Sequence, residues 1–382
     1  MEKKKTYNIS LKIINNSPDF IGELCYVTGN FNNWIVDGFE AGYIPEVGGY
    51  MVVHLDVEAG VLEFKLSRGS WATLNSDSNG RLMAPYRIEV NEDTQMSINI
   101  DTWRDLFPTS TASAQVHVLD EKFWMPHLGV HRRVWIYLPE GYADTVTRYP
   151  VLYMHDGQHL FDEATSRGRI GPVEWCVDEV IDAAVDKAIV VAVEHADEYR
   201  VREQEYRIHA AEHVTDPKGW NYLQDIVEVL KPYVDRHYRT LPAREYTAVL
   251  GSSLGGLLNI FAGLRYSDVF GTVGVFSPSI WLDSEGVYYE LQIFNDTQAE
   301  RSFQTTQHYY FYCGENENRR MKDGGVVPMV DDMRNFVSEL QRFPSVEVYM
   351  HIHKEGRHGA LYWQKEFPFF YAWWHNKLKF NT

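Results

Sequence analysis

Val249-Leu-Gly-Ser-Ser-Leu-Gly-Gly-Leu257 reads as the end of a strand, a tight turn and the start of a helix. It sets Gly251-x-Ser253-x-Gly255 between the apolar run Tyr246–Leu250 and a helix-patterned stretch, Leu254–Tyr266. A serine hydroxyl is a weak nucleophile until a base takes its proton and donors await the oxyanion. A strand-to-helix turn supplies part of this by lifting Oγ to the sheet edge beside backbone N–H groups. Glycines flank such a turn because the backbone is strained and its neighbours approach closely. Only Ser253, and not Ser252, has glycine at both −2 and +2. With glycine and serine each near 7% of residues, the bare pattern arises by chance in a chain this long with probability roughly 0.1. Its surroundings therefore carry the argument.

From Gln115 onward, strand and helix patterns alternate. Two antiparallel-type strands, Gln115–Leu119 and Arg133–Leu138, come first. Strand Val151–Met154, helix Glu174–Val185, strand Ala188–Glu194, helix Trp220–His237 and strand Tyr246–Leu250 follow. Beyond the serine turn come strands Thr272–Phe276 and Tyr309–Cys313, helix Met329–Phe343, strand Val346–Ile352 and a last helix near Trp363–Lys377. This alternation predicts an α/β fold, a mostly parallel sheet flanked by helices. Such sheets place function at the carboxyl ends of their strands, where Ser253 lies.

If the chain has the α/β-hydrolase fold, an acid and then a histidine follow the serine. His358, in Lys354-Glu-Gly-Arg-His-Gly359, sits in a glycine-flanked loop between the last strand and the last helix. His351 and His353 alternate along a strand with no third metal ligand in view, and His375 falls in the terminal helix. The loop after Tyr309–Cys313 offers Glu315 and Glu317, with Asp323 farther on, and Glu317 is preferred. A carboxylate there would fix the imidazole tautomer and stabilise the imidazolium. The oxyanion donors are expected at Leu254, the residue after the nucleophile, and in His155-Asp-Gly-Gln-His-Leu-Phe161, at Gln158 before Gly157. Loops Glu194–Tyr206, Pro278–Val287 and Gly314–Val327 are expected to shape the substrate pocket, with Arg200, Arg202, Trp175 and Trp281 as lining candidates.

The first hundred residues read as all-β. Strand-like runs at Tyr7–Ile14, Leu24–Gly29, Gly49–Val57, Val61–Leu66, Tyr86–Val90 and Gln95–Ile100 alternate with turn signals such as Ser78-Asn-Gly80. The division expected is a small immunoglobulin-like sandwich over residues 1–105, a polar linker at 106–115 and the α/β domain over 116–382. A formal charge of −17 argues against nucleic acid or an anionic membrane surface as partner. Three scattered cysteines, Cys25, Cys176 and Cys313, have no metal-ligand spacing and fit reduced thiols. No signal peptide and no run long enough to span a membrane is visible, so a cytoplasmic protein is expected.

Residues from about Val116 to Trp374 resemble the esterase family of α/β-hydrolases that includes enterochelin esterases, feruloyl and acetyl xylan esterases and S-formylglutathione hydrolase. The resemblance rests on Tyr149-Pro-Val-Leu-Tyr-Met-His-Asp-Gly-Gln158, Glu174-Trp-Cys-Val-Asp-Glu179 and Leu230-Lys-Pro-Tyr-Val-Asp-Arg-His-Tyr-Arg239. Gly251-Ser-Ser-Leu-Gly-Gly256, Phe276-Ser-Pro-Ser-Ile-Trp281 and His358 extend it. It implies Ser253 as nucleophile, His358 as base and the acid three residues after Gly314, at Glu317, with no metal or organic cofactor. Many relatives carry aspartate at that position, and an acidic residue where Gly359-Ala-Leu-Tyr stands here. The N-terminal part looks like starch- and glycogen-binding β-sandwich modules through Tyr26-Val-Thr-Gly-Asn-Phe-Asn-Asn-Trp34 and Glu63-Phe-Lys-Leu-Ser-Arg-Gly-Ser-Trp71. That likeness implies a sugar platform of Trp34, Lys65 and Trp71, or else a lid or a homodimer contact. The expected function is a serine carboxylic-ester hydrolase acting on a sugar ester or an enterochelin-like siderophore ester. The alternative is an inactive hydrolase-fold scaffold that binds carbohydrate.

Overall fold

Alternation over Thr6–Asn15 buries Ile9, Leu11 and Ile13 on one face and leaves Ser10 and Lys12 partly exposed on the other, as a strand covered on one side requires. The computed structural model describes residues 5–168, 171–298, 306–320 and 324–380. They form two units. One comprises the chain up to Thr111 with Glu163–Val173, the other Ala112–Asp162 with the chain from Glu174 onward.

In the first unit, strands β1 (Thr6–Asn15), β2 (Leu24–Gly29), β3 (Glu40–Tyr43), β4 (Tyr50–Glu58), β5 (Gly60–Ser67), β6 (Asn75–Ser76), β7 (Tyr86–Val90), β8 (Thr94–Ile100) and β9 (Thr102–Trp103) follow in order. They pair as β4-β1-β8, β3-β2-β5-β7 and the short β6-β9. Ile9, Leu11, Val53, Leu55 and Ile98 from the three-stranded sheet share one core with Val27, Leu62, Phe64, Leu66 and Ile88 from the four-stranded sheet. The chain leaves this unit between Thr111 and Ala112. Segment Glu163–Val173, which the sequence reading placed in the second domain, belongs here. Arg104 Nε meets Glu163 Oε2 at 2.7 Å in a buried pair, and Glu163 N–H donates to Thr111 Oγ1 at 2.9 Å.

The second unit is built on β10 (Val116–Met125), β11 (Val130–Tyr137), β12 (Val151–His155), β13 (Ile189–Val193), β14 (Thr247–Ser252), β15 (Thr272–Phe276), β16 (Gln307–Gly314) and β19 (Val346–His353). A small hairpin, β17 (Asn318–Arg320) and β18 (Val326–Pro328), interrupts the series. Among the described residues the sheet order is β10-β11-β13-β12-β14-β15-β16-β19, antiparallel at its first two pairings and parallel after them. Every residue of β12, β13, β14 and β15 is buried, which is why these strands read as apolar runs rather than alternating ones.

Helices α1 (Val177–Ala183), α2 (Tyr199–Tyr206), α3 (Gly219–Gln224), α4 (Lys231–His237), α5 (Leu254–Arg265), α6 (Ser284–Gln298), α7 (Met329–Leu340) and α8 (Ala360–Phe380) complete the unit. Val249, Val273 and Phe311 pack with Leu257, Phe261 and Phe336 in one core. Leu152, Val190 and Tyr310 pack with Ile181, Phe370 and Trp374 in the other. The sheet is thus covered on both faces, as an α/β-hydrolase fold requires.

Candidate active site

The serine turn takes the form its sequence predicts. Ser253 follows β14 directly, caps α5 and has φ 56° and ψ −117°, a conformation that costs a residue with a side chain. A methyl group on Gly251 would lie 2.7 Å from His155 Cδ2 and 2.8 Å from the Gly255 carbonyl carbon. One on Gly256 would lie 2.7 Å from the Phe276 carbonyl oxygen. Gly255 is different: its nearest neighbour would be 3.4 Å away, an ordinary contact. The steric demand therefore falls on Gly251 and Gly256 rather than on the two positions of the sequence pattern.

Two loops reach Ser253 Oγ, and a third holds the histidine of the first. His358, in the loop between β19 and α8, brings Nε2 to 3.0 Å from it. His358 Nδ1 lies 2.8 Å from Glu317 Oε2. Glu317, in the turn after β16, is buried, and its Oε1 accepts from Gly314 N–H and Ser277 Oγ–H, both at 2.7 Å. Glu315 is exposed, and Asp323 lies outside the described residues. Ser279 Oγ sits 3.3 Å from Ser253 Oγ. Neither Ser277 nor Ser279 was singled out from the sequence, although both stand in Phe276-Ser-Pro-Ser-Ile-Trp281.

The oxyanion side comes from two chain ends. As the first residue of α5, Leu254 has an N–H without an intrahelical acceptor. Gln158 lies in the single turn Gly157–His159 after β12, and its side chain exchanges hydrogen bonds with the His195 backbone at 3.2 and 3.3 Å. Asp156 begins that turn with φ 60°. Burial alone would raise its carboxyl, but Arg202 donates Nε to Oδ1 at 2.7 Å and a terminal nitrogen to Oδ2 at 2.8 Å. That cation holds Asp156 well below the usual carboxylate range. Tyr206 adds a hydroxyl at 3.2 Å. Beneath the turn, buried His155 donates Nε2–H to Asn259 Oδ1 at 2.7 Å and accepts from Tyr222 at 2.9 Å; burial pushes its basicity down, which suits a neutral ring.

A model of the Esterase family ("Putative esterase") matches residues 126–371, more than half of the chain. The chain belongs to this esterase family. The Bacillus subtilis "Uncharacterized protein YbbA" is 26% identical over 164 residues, 41% of this chain and 61% of that protein, so the match spans less than two thirds of its length. "Iron(III) enterobactin esterase" of Dickeya dadantii is 28% identical over 178 residues, 44% of this chain and 34% of that protein. The crystal structure of the enterobactin esterase FES from Shigella flexneri superposes with a TM-score of 0.51 at 15% identity, over 93% of this chain and 89% of that one. At that identity the likeness speaks for the fold alone.

The remaining candidates of the esterase fall into two groups. Trp281 is 37% exposed, just beyond Ser279, and carries the Arg319 guanidinium 4.4 Å from its ring centre. Arg202 and Trp175 are not open to a substrate: Arg202 is buried against Asp156, and Trp175 is buried with its ring stacked 5.6 Å from Phe276. In the all-β unit, Trp34 and Lys65 are only 8% and 4% exposed, so they present no open face to a sugar ring. Trp71 lines a pocket of about 430 Å³ with Phe107, Arg104, Glu163 and Gly171, of which neither Trp34 nor Lys65 is part. Among the described residues, Glu174, Cys176 and Glu179 bring ligand atoms within 4.8 Å of one another, but Gln364 Nε2 already donates to the Cys176 sulfur at 3.0 Å. No described helix is long and apolar enough to cross a membrane.

Proposed function

We propose that this esterase works through an acyl-enzyme on Ser253, and that its substrate is a siderophore-type ester with an aromatic, anionic acyl group. The observation that carries the reading is the unbroken hydrogen-bonded series Glu317–His358–Ser253, at 2.8 and 3.0 Å. His358 Nδ1–H faces the buried carboxylate, which leaves Nε2 free to take the Ser253 proton as Oγ attacks the ester carbonyl. The Leu254 and Gln158 N–H groups would hold the developing oxyanion. Collapse breaks the bond between the acyl carbon and the alcohol oxygen, and the proton passes from His358 Nε2 to the leaving alkoxide. Water, deprotonated by the same nitrogen, then attacks the acyl carbon; the acyl–Oγ bond breaks, and the proton passes from His358 Nε2 back to Ser253 Oγ as the acid is released.

The substrate class is supported by Trp281 under Arg319, an aromatic face with a cation at the end of the Ser279 turn. The 28% identity to an iron(III) enterobactin esterase over 178 residues points the same way. Two measurements test the proposal. Labelling by a fluorophosphonate that survives Ser253→Ala would remove the nucleophile assignment. Hydrolysis of ferric enterobactin should exceed that of methyl ferulate and acetylated sugars on one preparation; faster cleavage of an acetylated sugar would overturn the substrate class.

A further inference from the structure

Ser277, the residue directly after β15, is fully buried and has φ 45°. It precedes Pro278, a position normally pushed toward extended backbone, so both its side chain and its successor disfavour this conformation. Such strain persists only where the surroundings impose it. Here three hydrogen bonds do so: Ser277 N–H to the Tyr312 carbonyl at 2.6 Å, Trp363 Nε1–H to Ser277 Oγ at 2.9 Å, and Ser277 Oγ–H to Glu317 Oε1 at 2.7 Å.

The direction of this series is fixed chemically. An indole N–H can only donate, so Ser277 Oγ accepts from Trp363 and its own hydrogen is free for Glu317. Oε1 then has two donors, Ser277 and Gly314, and Oε2 is left to His358. The Trp363 ring also stands edge-on to the His358 ring, 5.1 Å between centres. We propose that Ser277 and Trp363 are positioning residues: Trp363 orients the Ser277 hydroxyl, and that hydroxyl locks the Glu317 carboxylate in the rotation that presents Oε2 to His358. This rests on the assignment of Ser253, His358 and Glu317 in the proposed function.

Glycine adopts a positive φ freely, so Ser277→Gly removes the hydroxyl while easing the backbone. Trp363→Phe removes the N–H and keeps a ring. With p-nitrophenyl acetate, Ser277→Gly is expected to lower kcat by about ten- to a hundredfold, the loss of one hydrogen bond to a charged group, with KM unchanged. Trp363→Phe should lower kcat less. Because Trp363 acts through Ser277, the double variant should be no slower than Ser277→Gly alone. Melting curves of each variant establish that it is folded. A Ser277→Gly kcat within about twofold of wild type, or a double variant whose loss is the product of the single losses, overturns the relay. Hydrolysis that persists in Ser253→Ala removes the underlying reading as well, which separates the two failures.

Discussion

Replacing Arg202 with methionine tests whether the oxyanion turn is held by charge. Methionine fills much of the arginine's volume but leaves the buried Asp156 carboxylate with the Tyr206 hydroxyl in place of a two-pronged cation. Breaking a buried ion pair by removing one partner costs about 3–5 kcal/mol, against a total stability of roughly 5–15 kcal/mol. The variant should fold with a melting temperature lower by roughly 5–15 °C. The turn carrying Gln158 begins at Asp156, so kcat should fall as well, by about a hundredfold if one oxyanion donor is misplaced. The pH dependence has a definite sign. In the wild type, Asp156 is held below the ordinary carboxylate range, so its contribution is complete above about pH 4 and is lost only as pH falls through the depressed value. In the variant, burial without the cation pushes the carboxyl up, and taking on a proton relieves the cost. The difference in melting temperature should therefore narrow between about pH 8 and pH 5. Adding Asp156→Asn should restore part of the stability at neutral pH. Calorimetry with p-nitrophenyl acetate turnover measures all of this. An Arg202→Met protein that melts and turns over like wild type, or gains nothing from Asp156→Asn, would refute the charge-held turn.

Gly251→Ala should reduce kcat by about a hundredfold or more, because its methyl group meets the Gly255 carbonyl and displaces the nucleophile. Gly255→Ala, with no contact under 3.4 Å, should retain activity within a fewfold of wild type; equal losses at the two positions would count against this account. Glu317→Gln should lower kcat by roughly a thousandfold or more, whereas Glu315→Gln, at an exposed position, should leave it unchanged. Lys65 is buried, and desolvation lowers its amine to about 8 from 10.5, so the folded state holds its proton less tightly than the unfolded one. Between those values stability rises with pH. Lys65→Met should therefore raise stability at pH 7 by roughly 3 kcal/mol, with the gain shrinking above about pH 8 and gone by about pH 11, as followed in thermal melts.

Periodicity made the central sheet legible, because its buried parallel strands are apolar throughout. It failed at α2. Tyr-Arg-Val-Arg-Glu-Gln-Glu-Tyr has no apolar face, and the helix is held instead by ion pairs of Arg202 with Asp156 and Glu205 with Arg132. That is also why Arg202 was expected in the substrate pocket: a loop arginine reads as a ligand contact until its partner, distant in sequence, is known. The α6 signal, by contrast, was present in Val287, Leu291 and Phe294, which share one buried face. The expected sugar platform gains no support from the exposure of its residues, since Trp34 and Lys65 are buried. Lys65 was expected there from the resemblance alone, and in β5 it is buried along with its neighbours Phe64 and Leu66.

The deeper gap concerns backbone strain. In the second unit, four described non-glycine residues have positive φ: Asp156, Cys176, Ser253 and Ser277. Three of them are the residues directly after β12, β14 and β15, which are adjacent in the sheet. Each turns its strand end sharply, and each is held there by partners contributed from elsewhere in the chain. Asp156 has Arg202, Ser277 has Glu317 and Trp363, and Ser253 donates its N–H to the Phe276 carbonyl at the end of the next strand. Only at Ser253 do flanking glycines announce the turn. At Asp156 and Ser277 the side chain itself makes the bond that holds the strained backbone, so glycine could ease the turn but could not replace the interaction. Local propensity is therefore silent at the two positions that support the oxyanion turn and the Glu317 carboxylate, because what fixes them is a long-range polar contact rather than a preference of their own residue type.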